Sequence, residues 1–141
     1  MGREWRVVRL MWPRVDGMRA LELGTRGELR DRLNALVLAG KKTATTGLLA
    51  EYVEETEGLE FVGERLGLLG NDGHRIATVE VTGVRLAAFA DVAWDHAVSE
   101  GEGDASLEEW KSGHSLFWSS VGTPVGQDTM LVCLRFRLAD S

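Results

Sequence analysis

The sequence predicts a single α+β domain, in which helices pack on a small mixed β-barrel. Segments with a helical spacing of apolar residues alternate irregularly with strand-like runs, so nothing supports a doubly wound parallel sheet. A chain of 141 residues suits one domain and is long enough for a hydrophobic core. We expect residues 1–17 to form an N-terminal extension and residues 18–141 to form the domain.

Helix start signals mark two segments. The first runs from Thr25 to Ala39, where Thr25 and Glu28 have the spacing of a capping box and an apolar stripe follows. The second begins at Ser106, with Glu109 at the same spacing. Apolar patterns predict further helices at Arg3–Trp12 and Ala87–Ser99.

Strand-like runs lie at Met18–Leu23, Arg65–Leu69, Arg75–Val84 and Met130–Leu138, and side chains alternate in all but the second of them. Gly70-Asn71-Asp72-Gly73 joins the second run to the third and is a strong hairpin signal. Glu80 lies inside the third run, where a buried carboxylate would need a partner.

The composition restricts the class of protein. The formal net charge of −6 argues against a broad nucleic-acid-binding surface, although a local basic pocket remains compatible with it. Cys133 is the one cysteine, so no internal disulfide can form and we expect a reducing, cytoplasmic setting. No apolar run has the length of a membrane span and no signal segment is evident, so we expect no membrane partner.

A polar segment follows the first capped helix: Gly40-Lys41-Lys42-Thr43-Ala44-Thr45-Thr46-Gly47. One interpretation is a solvated helix end whose lysines offset the negative end of the helix dipole. The other is a site in which a desolvated Lys42 takes the proton of the Thr45 hydroxyl. A Walker-type phosphate loop is excluded, because Ala35 stands where the loop requires glycine and the order of strand and helix is reversed.

The second half of the chain carries acidic and aromatic candidates. His96 and Glu100 have the spacing to share a metal ion, but no second histidine has zinc-protease spacing. The segment Glu100-Gly101-Glu102-Gly103-Asp104 lacks the frame of a calcium loop, so we expect no metal and no cofactor. This acidic segment is either a turn or the source of a catalytic carboxylate. Trp110 and His114 share a helical stripe, which suits core packing or stacking on a nucleobase.

Several segments, taken together and in order, carry a family resemblance. They are Gly40-x-Lys42-x-x-Thr45, Leu48-Leu49-x-x-Tyr52, Gly63, Thr78-Val79-Glu80-Val81-Thr82, Phe89-Ala90-Asp91-Val92, Glu100-Gly101-Glu102-Gly103-Asp104 and Leu107-x-x-Trp110-x-x-x-His114-x-x-Phe117. Their order and spacing resemble the ASCH-domain family from about Leu21 to Phe136.

The resemblance implies a PUA-like β-barrel with flanking helices and a cleft lined by the lysine motif. Some members resemble amidohydrolases that remove the acetyl group of 4-acetylcytidine, and others are ribonucleases. In the amidohydrolase branch the catalytic lysine, threonine and glutamate fall on Lys42, Thr45 and Glu100. Gly47 stands where the small amidohydrolases have arginine.

We therefore expect a hydrolase that acts on a modified nucleoside or an RNA-derived substrate. Lys42 would act as base or oxyanion partner, Thr45 as nucleophile or water-positioning group, and Glu100 as proton shuttle. The alternative is a non-catalytic module that binds single-stranded RNA or a nucleoside or nucleotide ligand in the same cleft. The expected substrate-binding residues are Thr43, Tyr52, Glu80, Trp110 and His114.

Overall fold

The computed structural model describes residues 13–52 and 58–139, so the helix predicted at Arg3–Trp12 lies outside the described residues. The described strands are β1 (Arg14–Val15), β2 (Met18–Leu21), β3 (Ala44–Leu48), β4 (Arg65–Leu69), β5 (Arg75–Ala88) and β6 (Met130–Leu138). The described helices are α1 (Glu28–Leu38), α2 (Leu49–Tyr52), α3 (Trp94–Ser99) and α4 (Leu107–Ser120), with a 3-10 turn at Phe89–Asp91.

The strands form one open mixed sheet in the order β1-β2-β4-β5-β6-β3. β2 and β4 are parallel, and the other neighbours are antiparallel. The α+β class is therefore confirmed, but the prediction of a barrel is corrected, because β1 and β3 remain separate edges of the described sheet. β1 has two residues and offers too short a backbone ladder to close the sheet against β3.

Helices cover both faces of the sheet, and each face has its own hydrophobic core. The apolar stripe of α1, with Leu33 and Val37 at its centre, packs on one face against Leu134 and Phe136 of β6. On the other face, residues from α3 and α4 pack around Trp110 and Leu131. Side chains alternate along a strand, so neighbouring residues of β3 and β6 contribute to different cores.

The start of α1 corrects the predicted capping box at Thr25. The helix begins at Glu28, and no side chain caps Gly27, whose φ of 116° requires glycine. The Asn71 side chain satisfies this end instead, because it accepts a hydrogen bond from the Gly27 N–H (2.8 Å) and donates to the Gly27 carbonyl (3.1 Å). The β4–β5 turn therefore supplies the cap from a distant part of the chain.

The helix predicted at Ala87–Ser99 is also wrong in its first half. β5 continues to Ala88, because its backbone stays paired with β6 as far as Met130. The 3-10 turn follows, and α3 begins only at Trp94. Backbone pairing with β6 therefore determines the structure of this segment, although its apolar residues have a helical spacing.

Other local predictions are confirmed. β4 and β5 form the predicted hairpin, and β6 spans Met130–Leu138 as expected. At α4 the Ser106 hydroxyl accepts a hydrogen bond from the Glu109 N–H at 3.1 Å. Across residues 13–52 and 58–139, none of the helices combines the length and the apolar character needed to cross a membrane.

Candidate active site

A polar cluster with a buried centre lies where the start of β3 meets the end of α3 and the middle of α4. We call it the Glu100 cluster and define it by Lys42, Thr46, His96, Glu100, Glu102 and His114. Lys42, His96 and Glu100 are almost completely buried, with exposed fractions of 2%, 5% and 1%. Charged residues are rarely buried to this degree unless they are paired.

Local backbone geometry carries the lysine into the interior. Gly40 has a φ of 75° and ends α1, so the chain can turn back on the helix. The N–H groups of Lys41 and Lys42 both donate to the carbonyl of Leu36, at 2.9 and 3.1 Å. Thr43 then bonds through its N–H to the Ser99 carbonyl at 2.7 Å, which ties the start of β3 to the end of α3.

The Lys42 ammonium is surrounded by oxygen atoms. Its Nζ lies 2.8 Å from Oε2 of Glu102, 3.4 Å from the Glu100 carbonyl oxygen and 3.9 Å from Oε1 of Glu100. These contacts compensate for the cost of removing the charge from water. The solvated-helix-end interpretation therefore fits Lys41, which is exposed, but not Lys42.

The Glu100 carboxylate is the centre of the cluster. Oε1 accepts a hydrogen bond from His114 Nε2 at 2.9 Å, and Oε2 accepts one from the Thr46 hydroxyl. His96 Nε2 lies 3.4 Å from Oε2. Burial alone would raise the pKa of Glu100, but hydrogen bonds from His114 and His96 and the charge of Lys42 outweigh it and hold the pKa well below its usual value.

The hydrogen-bond partners assign the protons of both histidines. His114 contacts the Glu100 carboxylate through Nε2 and the Trp110 carbonyl through Nδ1 (3.0 Å). Both partners are acceptors, so His114 donates from both nitrogens and is an imidazolium. Burial lowers its pKa, but the hydrogen bond and charge of Glu100 outweigh this and raise the pKa above the usual value. Thr46 gives its one proton to Glu100, so the Nε2–H of His96 donates to Thr46 Oγ1 at 2.8 Å and has Glu100 Oε2, at 3.4 Å, as a second and longer acceptor.

The Trp110 ring packs against the His114 imidazole. The two rings stack with centroids 4.0 Å apart and an interplanar angle of 23°. Trp110 has no exposed surface, so its ring acts as a core platform for the imidazolium and does not line an open surface. Phe89 and Trp118 complete the aromatic packing around these rings.

The structure brings Lys42, Glu100 and His114 together, as the sequence predicts, but it places Thr45 elsewhere. Thr45 pairs with Leu134 in the sheet and therefore lies on the face that carries the α1 core. Its hydroxyl has no hydrogen bond within the described part of the chain. Thr46 pairs with Cys133 on the opposite face and takes the position next to Glu100.

Sequence reasoning missed Thr46 because the lysine motif points to the preceding threonine. The signal that could find it is the period of β3. Ala44 and Leu48 are buried and in phase with Thr46, so all three share the face that α3 and α4 cover.

The remaining predicted residues lie around or away from the cluster. The Thr43 hydroxyl donates to the Ser99 carbonyl at 3.3 Å, beside the cluster. Tyr52 donates to Glu60 at 2.8 Å, and burial and the charge of Glu60 raise the pKa of its phenol. Its ring lies 3.7 Å from the place that a methyl group on Gly47 would take, so it fills the space beside Gly47.

Glu80 is further along the sheet and is already paired. Its carboxylate lies 3.0 Å from Arg137 and 3.9 Å from Arg65, which flank it on the neighbouring strands. No contact joins Glu80 to the Glu100 cluster among the residues that the structure describes.

A cavity of about 260 Å³ opens beside the cluster, between β5, β6 and the segment that leads into α3. His96 forms part of its wall and connects it to Thr46. Cys133 also lines the cavity, where burial and the charge of Glu100 raise the pKa of its thiol to about 11. Cys133 is therefore a neutral wall residue at physiological pH.

Glu100, Glu102 and His114 have the donor atoms of a possible metal site, since one ligand atom from each lies within 4.8 Å of the others. The Lys42 ammonium, however, contacts both carboxylates and supplies positive charge at this position. In this arrangement the two carboxylates bind the Lys42 ammonium, and a metal ion would have to compete with that ammonium for them.

The open sheet with helices on both faces defines a small α+β domain, and the buried lysine–glutamate site lies on the face that α3 and α4 cover. The chain belongs to the ASCH domain family, whose model matches residues 19–140. None of the curated proteins compared with the chain matches it.

Solved structures show the same fold. Protein EF3133 from Enterococcus faecalis is 27% identical with a TM-score of 0.72, covering 84% of this chain and 74% of that chain. The ASCH domain from Lactobacillus crispatus is 29% identical with a TM-score of 0.69, covering 84% and 77%. Hypothetical protein PH0355 is 18% identical, with a TM-score of 0.57 over 79% of this chain and 94% of that chain, and shows likeness of fold alone.

Proposed function

We propose that the chain is a hydrolase acting on a modified nucleoside or an RNA-derived substrate, with the Glu100 cluster as its active site. The observation that carries this proposal is the position of the Thr46 hydroxyl, which donates to Glu100 and accepts from His96. A hydroxyl held between a carboxylate and an imidazole has the partners that nucleophilic catalysis needs. The resemblance to the ASCH family supports the substrate class.

For hydrolysis of an amide substrate, each residue of the cluster can be given a role, and every proton that leaves one group is taken up by another. Thr46 Oγ1 would attack the acyl carbon while its proton passes to Glu100. The His96 Nε2–H would stabilise the oxyanion that forms near Thr46. Collapse would expel the amine with the proton from Glu100, and water would then hydrolyse the acyl-threonine. Lys42 and His114 would hold the Glu100 carboxylate in place.

The test is turnover by purified protein and by matched variants. Acetate release from 4-acetylcytidine and cleavage of single-stranded RNA are measured for the wild type, Thr46→Val and Lys42→Ala. We expect both variants to lose activity, while Lys41→Ala, an exposed neighbour with the same charge change, retains it. Wild-type protein without activity on either substrate would count strongly against the hydrolase.

One observation favours the second candidate, a non-catalytic RNA- or nucleotide-binding module. The low pKa of Glu100 makes this carboxylate a weak base at neutral pH, so proton transfer from Thr46 requires the loss of a donor on substrate binding. If this candidate is correct, the wild type binds ligand without turnover, and Lys42→Ala only weakens binding.

A further inference from the structure

The cavity beside the cluster carries a row of side chains that leads from Thr46 across the sheet. Cys133 of β6 pairs with Thr46 of β3 on one side and with Arg85 of β5 on the other. Paired residues of neighbouring strands face the same side of a sheet. Thr46, Cys133 and Arg85 therefore share one face, and the last two line the cavity.

The rim of this cavity carries a guanidinium that is not neutralised. Arg135 is paired with Asp95, whose Oδ2 lies 3.1 Å away. Arg85 has neither an ion pair nor a side-chain hydrogen bond to any residue in the described ranges. Asp91 is the remaining charged group that lines the cavity, and it is exposed.

The interior below this rim is small and apolar. Ala87, Val92 and the buried Cys133 thiol contribute its surface. Its volume of about 260 Å³ is just below the range of about 300–1,000 Å³ that is typical of sites for drug-sized ligands. One nucleobase with its sugar is therefore a suitable occupant, whereas a folded or double-stranded RNA is not.

We propose that this cavity binds one nucleoside monophosphate, with its phosphate on Arg85 and the reactive edge of its base toward His96 and Thr46. Neighbouring strands are about 4.8 Å apart, so the backbones at Arg85 and Thr46 are separated by about 9.6 Å. A single nucleotide bridges this distance from phosphate to base. An unpaired guanidinium is suited to phosphate because it can donate two parallel hydrogen bonds.

This inference rests on the proposed function for the reacting end of the ligand, but the binding step can be measured alone. Isothermal titration compares cytidine 5′-monophosphate, cytidine and inorganic phosphate as probes. We expect the wild type to bind the monophosphate about tenfold or more tightly than cytidine, which is the effect of one charge-assisted hydrogen-bonded pair. Inorganic phosphate should bind more weakly than the nucleotide, because it leaves the apolar interior empty.

Two variants locate the ligand. Arg85→Gln should remove the preference for the phosphorylated probe, while Arg32→Gln, at an exposed position of α1, has the same charge change and should keep it. Gly83→Leu should block both nucleoside probes, since an added side chain at Gly83 meets only Arg135, at 3.7 Å, before it enters the cavity.

Equal affinity for the two nucleoside probes, an unchanged preference in Arg85→Gln, or no binding of the monophosphate would each overturn the inference. Phosphate binding as strong as nucleotide binding would also overturn it, because the cavity interior would then be unused. If turnover depends on Thr46 but the phosphate preference is absent, the hydrolase stands and this inference fails. Binding through Arg85 without turnover of any substrate would remove the hydrolase and leave a nucleotide-binding site.

Discussion

The two adjacent threonines of β3 offer a direct test of the site, because one lies on each face of the sheet. Thr46→Val replaces the hydroxyl with a methyl group of similar size. It removes the hydrogen bond to the Glu100 carboxylate and the acceptor for His96. Thr45→Val makes the same chemical change at a hydroxyl without a described hydrogen bond, so it is the matched control.

The expected magnitude follows from these contacts. A hydrogen bond to a charged group contributes about 1.5–3 kcal/mol to stability, so Thr46→Val should reduce the free energy of unfolding by that amount. Thr45→Val should change it by less than about 0.5 kcal/mol. For a domain of 141 residues, about 4 °C of Tm corresponds to 1 kcal/mol, so we expect Thr46→Val to lower Tm by about 6–12 °C.

Urea unfolding followed by circular dichroism measures both variants against the wild type. The slope of the transition should stay the same, since a single hydroxyl hardly alters the surface exposed on unfolding. Equal effects of the two substitutions, or a larger effect of Thr45→Val, would refute the assignment of Thr46 to the Glu100 cluster.

Further predictions concern the charges and the turn around the cluster. Lys42→Met leaves the buried Glu100 carboxylate and the half-buried Glu102 carboxylate without their cation and should cost about 3–5 kcal/mol in chemical unfolding, whereas the exposed Lys41→Met should cost less than about 0.5 kcal/mol. The raised pKa of His114 contributes stability that is complete below about pH 6.5 and is lost as pH rises through the folded-state pKa. His114→Gln should flatten this decrease in a series of melts between pH 6 and 9, and an unchanged slope would contradict the imidazolium. Gly101→Ala should cost more Tm than Gly103→Ala, because both have positive φ but only a Cβ at Gly101 would overlap the Lys41 carbonyl; equal Tm losses would contradict this contact.

Local signals in the sequence are sufficient for the elements that local interactions stabilise. The Gly70–Gly73 turn predicts the β4–β5 hairpin, and Ser106 with Glu109 predicts the start of α4. The same kind of signal fails at Thr25, because the side chain of Asn71 reaches Gly27 from a turn that is remote in sequence. A cap supplied by tertiary structure leaves no local pattern.

The site shows the same division between local and remote causes. The motif around Lys42 and the acidic segment at Glu100 can be identified from the sequence, and the structure does bring these residues together. The choice between Thr45 and Thr46 depends on which face of β3 meets α3. That choice requires the strand itself, whose Ala-Thr-Thr-Gly-Leu sequence gives little alternation to recognise.

The electrostatic balance of the cluster restricts where a charged substrate can bind. Lys42 and the His114 imidazolium balance the Glu100 and Glu102 carboxylates, so the buried site is close to neutral. Buried ion pairs are often replaceable by apolar residues without loss of stability, so stability alone gives little reason for this arrangement. A phosphate placed next to Glu100 would meet a carboxylate and disturb the balance. A phosphate held on Arg85, with a neutral acyl group near Thr46, would leave the cluster neutral and keep the substrate charge at the solvent-exposed rim.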